Sequence, residues 1–219
     1  MDKEKHEVEQ EKKIKSEQTK NENIILKKLF IGIGSFIVVL ILIVIVLNST
    51  KNFEYKDLKF NIEKMGNLVF YRTSIPIYAQ TNGPKERIAD YNFYLRNDPR
   101  KLDAVPYEGN IELLRLVVIN STNELNCNGD GAIAIKNLAD LYTVIGAKVI
   151  KDENASCDSQ GRYMFLDIKP GETTNIEQTG PACYKIEINN CEILNGAEKF
   201  MIETFLKIRE TGFEVIIDN

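Results

Sequence analysis

The chain has 219 residues, enough for about one domain with appendages, and a formal net charge of −4. Residues 1–28 carry a net charge of +1 and the remainder carries −5. A mildly acidic chain lacks the clustered basic face that nucleic acid requires, which argues against a nucleic-acid partner. The single histidine, His6, lies near the N-terminus. Its position excludes Ser-His-Asp and Cys-His catalysis, and histidine-bearing zinc sites, from the rest of the chain.

The first 28 residues are rich in Lys, Glu and Gln and contain no Gly or Pro. Acid–base pairs four residues apart, such as Glu9 with Lys13, favour a solvated helix. The segment has no sustained apolar stripe, so disorder is the alternative. We predict a charged cytoplasmic tail, with contact to a partner protein as a second hypothesis.

Residues 29–47 read LFIGIGSFIVVLILIVIVL, in which 16 of 19 residues are Leu, Ile, Val or Phe and none is charged. As a helix, this segment would span roughly 28 Å, close to the ~30 Å hydrocarbon core of a bilayer. A buried helix of this length usually has a polar face, and a cleaved signal peptide has a shorter apolar region. The segment therefore predicts an uncleaved signal-anchor transmembrane helix, with the lipid bilayer as its partner.

Three features predict that residues 48–219 form an extracytoplasmic domain of a single-pass cell-membrane protein. Six lysines lie in residues 9–28 and four in residues 48–67, so the positive-inside rule places the N-terminus in the cytoplasm. All four cysteines follow the apolar segment, and disulfides need an oxidising compartment. The Asn-x-Ser/Thr sequons also follow it, at Asn48 and at the two glycosylation candidates Asn120 and Asn154.

The cysteines, which are Cys127, Cys157, Cys183 and Cys191, allow three disulfide pairings. The segment CYKIEINNC has extended character, which would place Cys183 and Cys191 about 26 Å apart, whereas a disulfide needs Cα atoms ~5.5 Å apart. A Cys127–Cys157 bridge would contribute about 3–4 kcal/mol, but it forces the pairing of Cys183 with Cys191. The connectivity therefore stays open. A metal site is disfavoured because no Cys-x-x-Cys pair is present.

The segments after residue 47 alternate between short β-type runs and turn residues. One segment, residues 132–146, carries apolar residues at spacings of three and four and ends at Gly146, which predicts a helix. We expect a mainly β fold, an antiparallel β-sandwich or small barrel with one short helix, preceded by the transmembrane helix. The predicted strands cover residues 58–65, 67–78, 91–96, 111–120, 161–171, 173–178, 183–189 and 198–210.

The sequence NCNGDG, residues 126–131, matches the first half of a calcium-binding loop. Its candidate oxygen ligands are Asn126, Asn128 and Asp130. The twelfth loop position is Asn137, which cannot supply the bidentate carboxylate that closes such a loop. An ordinary turn and helix cap is the alternative, and we predict no other cofactor.

A second candidate site lies in YNFYLRNDPR, residues 91–100. Arg96 and Arg100 could bind an anionic ligand beside Tyr94. The alternative is a strand that ends in a turn, with Asp98 paired to an arginine. Carboxylate-based glycoside hydrolysis is a further hypothesis, although the sequence does not show two carboxyl groups converging.

Several segments after the anchor are distinctive: FNIEKMGNLVFYRTSIPIY, NFYLRNDPRKLD, NCNGDG and NNCEILNGAEKF. With the basic tail and the apolar segment, they resemble a set of single-pass membrane-anchored envelope proteins predicted from small-genome archaea. The resemblance runs from Phe53 to about Glu203. It implies an envelope setting, and no catalytic residues can be carried over from it.

From these observations we expect a non-catalytic binding or structural module of the cell envelope, with an envelope protein or a glycan as its partner. The alternatives are an accessory subunit of a membrane complex that contacts its partners through the tail, and a hydrolase that acts through carboxylates.

Overall fold

The computed structural model describes residues 30–44, 51–80 and 83–218 and divides the chain into two units, Met1–Lys51 and Asn52–Asn219. In the first unit, residues 30–44 are α-helical (α1). None of the helices in the described ranges is both long enough and apolar enough to cross a membrane. The tail, Leu29 and residues 45–47 lie outside the described residues, so the transmembrane helix stays a prediction.

The second unit contains two β-sheets. Sheet A consists of β1 (Asn52–Tyr55), β2 (Leu58–Met65), β3 (Leu68–Gln80), β4 (Glu86–Leu95) and β11 (Val215–Asp218). Strands β1 to β4 form antiparallel pairs with their chain neighbours, whereas β11 pairs with β3 in parallel. Because β4 pairs with residues 71–79 of β3, strands β2 and β11 share the opposite edge of β3.

Sheet B is largely parallel. It consists of β5 (Tyr107–Glu108), β6 (Leu116–Ser121), β7 (Lys148–Lys151), β8 (Met164–Pro170), β9 (Asn175–Gly180) and β10 (Cys183–Ile188), in the order β5-β9-β10-β8-β6-β7. Strands β6, β7, β8 and β10 run in the same direction, and β9 is antiparallel to β10. Helix α2 (Asp130–Val144) connects β6 to its parallel neighbour β7, as a parallel pair requires a crossover connection.

Helix α3 (Ile193–Thr211) packs between the two sheets. The ring of Phe200 lies 5.2 Å from that of Tyr184 on β10, and the ring of Phe205 lies 5.2 Å from that of Phe93 on β4. Side chains of one helix therefore contribute to the inner faces of both sheets. The resulting hydrophobic core is continuous from sheet A through α3 to sheet B.

Two close contacts fix the position of α3. A Cβ atom on Gly196 would lie 2.7 Å from Cδ1 of Ile188, so the absence of a side chain lets the helix approach sheet B. On another side, the hydroxyl groups of Tyr142 on α2 and Thr204 are hydrogen-bonded at 3.0 Å, and both residues are fully buried. The pairing satisfies two polar groups that would otherwise be costly to bury.

The strand predicted over residues 198–210 is wrong, because these residues belong to α3. The prediction rested on alternating apolar residues, Phe200, Ile202, Leu206 and Ile208. A helix that is buried on most sides has no single apolar stripe, so its sequence also satisfies the two-residue repeat of a strand. Gly212 then ends the helix in the left-handed conformation, with φ of 63°.

The predicted mainly β class is confirmed, since the described residues contain an antiparallel sheet and a few helices. The predicted helix over residues 132–146 is also confirmed as α2. The expectation of one short helix is wrong, because α2 and α3 both form. A sandwich or barrel of antiparallel strands is not what forms, since α3 separates the sheets and sheet B is mostly parallel. The β6–α2–β7 crossover imposes that parallel direction.

The position of α3 predicts a contrast between two adjacent side chains of the helix. Phe205 is 4% exposed and contacts sheet A, so Phe205→Ala should lower the free energy of unfolding by about 3–5 kcal/mol. Leu206 is partly exposed, and Leu206→Ala should cost about 1 kcal/mol. Urea unfolding of the oxidised full chain, followed by circular dichroism, would measure both. Equal losses would contradict the placement of α3 between the sheets.

Candidate functional site

The four cysteines form two disulfides, Cys127–Cys191 and Cys157–Cys183, with Cα–Cα distances of 5.4 and 5.6 Å. The Cys127–Cys157 and Cys183–Cys191 bridges that were considered from the sequence do not form. Cys127 precedes α2 and Cys191 precedes α3, so their bridge joins the loops that follow the carboxyl ends of β6 and β10. Cys157–Cys183 ties the segment between β7 and β8 to β10. No cysteine is left free.

The structure gives each residue of the predicted anion site a partner of its own. The guanidinium of Arg96 lies 3.4 Å from the carboxylate of Asp130. Arg100 makes two hydrogen bonds to Asp98, at 2.8 and 2.6 Å, and its guanidinium packs over the ring of Phe53. The Tyr94 ring contacts Phe70 edge-on. The hydrogen bonds from Arg100 hold the pKa of Asp98 below its usual range. An anionic ligand would have to compete with these carboxylates.

The turn that contains these arginines is anchored by a buried glutamate that the sequence did not single out. Glu198 on α3 is 0% exposed, and its carboxylate accepts hydrogen bonds from the backbone N–H groups of Arg96 and Asn97 at 2.7 and 2.9 Å. The Asn97 side chain donates a third, at 2.9 Å. Burial raises the pKa of Glu198 to about 7, although the three hydrogen bonds oppose that shift.

The NCNGDG segment forms a tight turn that leads into α2. Cys127 and Asn128 adopt left-handed backbone conformations, with φ of 47° and 58°. The side chains of Asn126 and Asn128 are exposed, and Asp130 faces Arg96. Within the described ranges, no group of three or more His, Cys, Asp or Glu side chains is placed to hold a metal ion. Calcium binding at Asn126, Asn128 and Asp130 stays a prediction.

A cavity of about 570 Å³ lies beside this turn, at the carboxyl edge of the parallel strands of sheet B. Such edges bind ligands in many α/β proteins. Its two cationic side chains already have partners: Lys136 pairs with Asp140, and Lys151 lies 3.3 Å from Glu153. The first backbone N–H of α2, on Asp130, bonds to the carbonyl groups of the preceding turn. The described side chains that line the cavity therefore offer a ligand no unpaired charge.

The two sequons in the described ranges differ in accessibility. Asn120 lies on β6, partly buried, and its amide donates to Asp167 at 3.4 Å. Asn154 is exposed in the loop after β7. Glycosylation at either position stays a prediction, and Asn48 lies outside the described residues. Of the two, only the Asn154 amide is exposed to a modifying enzyme.

The clearest convergence of carboxylates joins α3 to two surface turns. Lys199 lies 2.8 Å from Glu203 and 3.6 Å from Asp103, while Lys56 lies 2.8 Å from Asp103 and 3.8 Å from Glu203. The hydrogen bond from Lys56 lowers the pKa of Asp103. A glycosidase needs one carboxyl group whose raised pKa keeps it protonated, so this arrangement fits an ion-pair network rather than an acid–base pair.

A groove of about 710 Å³ opens beside the last strand of sheet A. We call it the β11 groove, and it is lined by Ile77, residues 113–115, residues 143–146 and residues 213–216. Most of its lining is aliphatic or aromatic. Phe213 is 39% exposed and Ile216 is 42% exposed, so the groove exposes apolar surface to solvent. Concave apolar surfaces of this size are the usual sites of ligand binding.

Two charged residues line the β11 groove, and only one of them is neutralised. Glu214 pairs with Lys85 at 2.5 Å. Arg115 is exposed, and no described side chain forms an ion pair or hydrogen bond with its guanidinium. The groove therefore combines apolar walls with one unpaired positive charge, which is a composition suited to orienting a ligand.

The sequence did not indicate this groove, because its walls come from four segments that are distant in sequence. Leu113 and Leu114 were assigned to a strand that in fact begins at Leu116. Phe213 follows a helix that was predicted as a strand. The sequence feature that could have indicated it is the pair of apolar residues just beyond Gly212, Phe213 and Val215.

No protein-family model, no curated protein and no solved structure matches this chain. The resemblance to archaeal envelope proteins stays a prediction.

The raised pKa of Glu198 predicts a pH dependence of stability. Its carboxyl has an ordinary pKa of 4.5 and a folded-state pKa of about 7, so its contribution is fully present below pH 4.5 and is lost as the pH rises through 7. We compare the free energy of unfolding of the unmodified chain with that of Glu198→Gln. The stability of the unmodified chain relative to this variant should fall by up to about 3 kcal/mol as the pH rises from 4.5 to above 7. Urea unfolding at a series of pH values measures this difference. A difference that increases with pH would show that the three hydrogen bonds outweigh burial.

Proposed function

We propose that the chain is a non-catalytic, membrane-anchored binding module of the cell envelope. In this proposal residues 29–47 anchor the chain with its N-terminus in the cytoplasm. The disulfide-bonded unit lies outside the cell and binds its partner at the β11 groove.

The extracytoplasmic location is supported by the two disulfides. Both bridges join segments that are far apart in sequence, with separations of 64 and 26 residues. Closing loops of these lengths stabilises a fold by about 3–5 kcal/mol each on the chain-entropy model. Reducing compartments keep cysteine thiols reduced. A chain in which all four cysteines form disulfides therefore fits an oxidising compartment.

Binding is supported above all by the β11 groove. Its apolar side chains, among them Phe213 and Ile216, are exposed at one end of sheet A. Burying exposed apolar surface contributes roughly 25 cal/mol per Å², so a partner that fills the groove would gain affinity from it. This exposed apolar concavity is the single observation on which the binding role rests.

The hydrolase alternative is less well supported. The carboxyl group with a strongly raised pKa, Glu198, is enclosed by Arg96 and Asn97 and is fully buried. Asp103 and Glu203 share two lysines. A general acid has to reach the substrate, and a buried glutamate with three internal donors does not meet that requirement.

The orientation can be tested with a membrane-impermeant thiol reagent on intact cells. Cys157 and Cys191 are exposed in the folded unit. Without reduction, no labelling is expected, because all four cysteines are in disulfides. After mild external reduction, these cysteines should be labelled. Labelling that appears only after cell lysis would contradict the proposed orientation.

The groove can be tested by carbene photolabelling of the full chain in lipid nanodiscs, with a small apolar diazirine and peptide mapping by mass spectrometry. We expect strong labelling of the segment that contains Phe213. Ile216→Lys should reduce that labelling several-fold, because it places a charge in an apolar groove. Ile88→Lys is the matched control, since Ile88 is 52% exposed, also lies in sheet A and does not line the groove. If both variants give the unmodified pattern, the groove is not a binding site.

A further inference from the structure

The outer edge of β11 has no partner strand in the described part of the chain. Sheet A ends at β11, and β11 pairs only with β3 among the described strands. Natural sheets usually protect such edges with lysine, proline or a bulge. Val215 and Ile216 provide none of these, and the pairing with β3 has no bulge. The edge therefore presents backbone N–H and C=O groups in the geometry that an added strand requires.

The free edge and the apolar groove belong to the same place in the fold. Residues 213–216 line the groove, and Val215 and Ile216 also form the strand. Side chains of a strand alternate between its two faces. A strand added beside β11 would therefore direct every second side chain into the groove. Its backbone would satisfy the free edge at the same time.

Charge adds a requirement for the occupant. Arg115 lines the groove and has no ion-pair or hydrogen-bond partner among the described side chains, whereas Glu214 is already neutralised by Lys85. An occupant that carries a carboxylate would pair with the guanidinium in a forked geometry. A cationic or strictly apolar occupant would leave Arg115 unpaired.

We propose that the β11 groove binds an extended apolar segment of a partner protein. The segment adds as a strand to β11 and places a carboxylate against Arg115. This inference rests on the proposed binding function and names the class of ligand for the same site.

Two other occupants fit the groove less well. A second copy of this chain could pair β11 with β11, but it would bring a second Arg115 and offer no free carboxylate from its own groove. A lipid acyl chain would fill the apolar walls and could supply an anionic head. It has no peptide backbone, so the N–H and C=O groups of β11 that face away from β3 would stay unpaired.

The test uses fluorescence anisotropy of a labelled short peptide, with valine alternating with threonine, against the full chain in lipid nanodiscs. We compare the free C-terminal acid, the C-terminal amide, and an amide whose last residue is glutamate. Either carboxylate should bind about three- to ten-fold more tightly than the plain amide. Whether the terminal or the side-chain carboxylate gives the larger gain identifies its source. Arg115→Gln should remove the difference, and Arg115→Lys should retain part of it.

Strand addition is tested with two peptides that are N-methylated at alternate positions. A strand bonds to its neighbour through every second residue, so one methylated set should weaken binding at least about ten-fold and the other should bind nearly normally. Equal effects of the two sets would overturn strand addition. Concentration-dependent dimerisation that is lost in Ile216→Lys, or displacement of the peptide by anionic lipid alone, would instead identify another occupant.

The outcomes separate the two proposals. Groove photolabelling without any peptide binding would overturn the peptide inference and leave the groove as a site for another ligand. Absence of both would also remove the proposed function. Ile88→Lys serves again as the control, because it should leave peptide affinity unchanged.

Discussion

The burial of α3 between two sheets is the constraint on which the rest of the second unit depends. Sheet A, antiparallel except for β11, has an inner face that must be buried, and Phe205 covers part of it by packing against Phe93. The inner face of sheet B must also be buried, and Phe200 covers part of it by packing against Tyr184. Because one helix serves both sheets, its length and its ends decide where each sheet is covered. The helix also carries Glu198, whose buried carboxylate holds the turn after β4 in place.

The β11 groove follows from where α3 ends. The helix stops at Thr211, Gly212 adopts the left-handed conformation, and after residues 213–214 the strand Val215–Asp218 pairs with β3 as the last strand of sheet A. Beyond the end of the helix, the inner face near Ile77 and Val215 is bordered by the groove instead of by helix side chains. The same turn that completes the sheet therefore leaves an apolar hollow beside an unpaired edge. Arg115, from the segment that leads into β6, adds a single unpaired charge to it.

The sequence predicted those elements whose pattern was set locally. Helix α2 was recognisable from Leu138, Leu141 and Ile145 at helical spacing, with Gly146 after them. The direction of the strands in sheet B was not recognisable, because it depends on the crossover through α2 and not on any one strand. The cysteine pairing was also open, since Cys127 meets Cys191 only after β6 and β10 align. Glu198 resembled any surface glutamate, and only the tertiary structure places it among the N–H groups of Arg96 and Asn97.

In the described part of this unit, the β11 groove combines exposed apolar walls, a strand edge without a partner and an unpaired guanidinium. Hydrogen–deuterium exchange of the full chain, with and without an alternating apolar peptide that bears a carboxylate, tests that combination directly. Bound peptide should slow exchange of the backbone N–H groups in residues 215–218 and leave those of residues 86–91 in β4 unchanged. Unchanged exchange in residues 215–218 at saturating peptide would contradict strand addition at this edge.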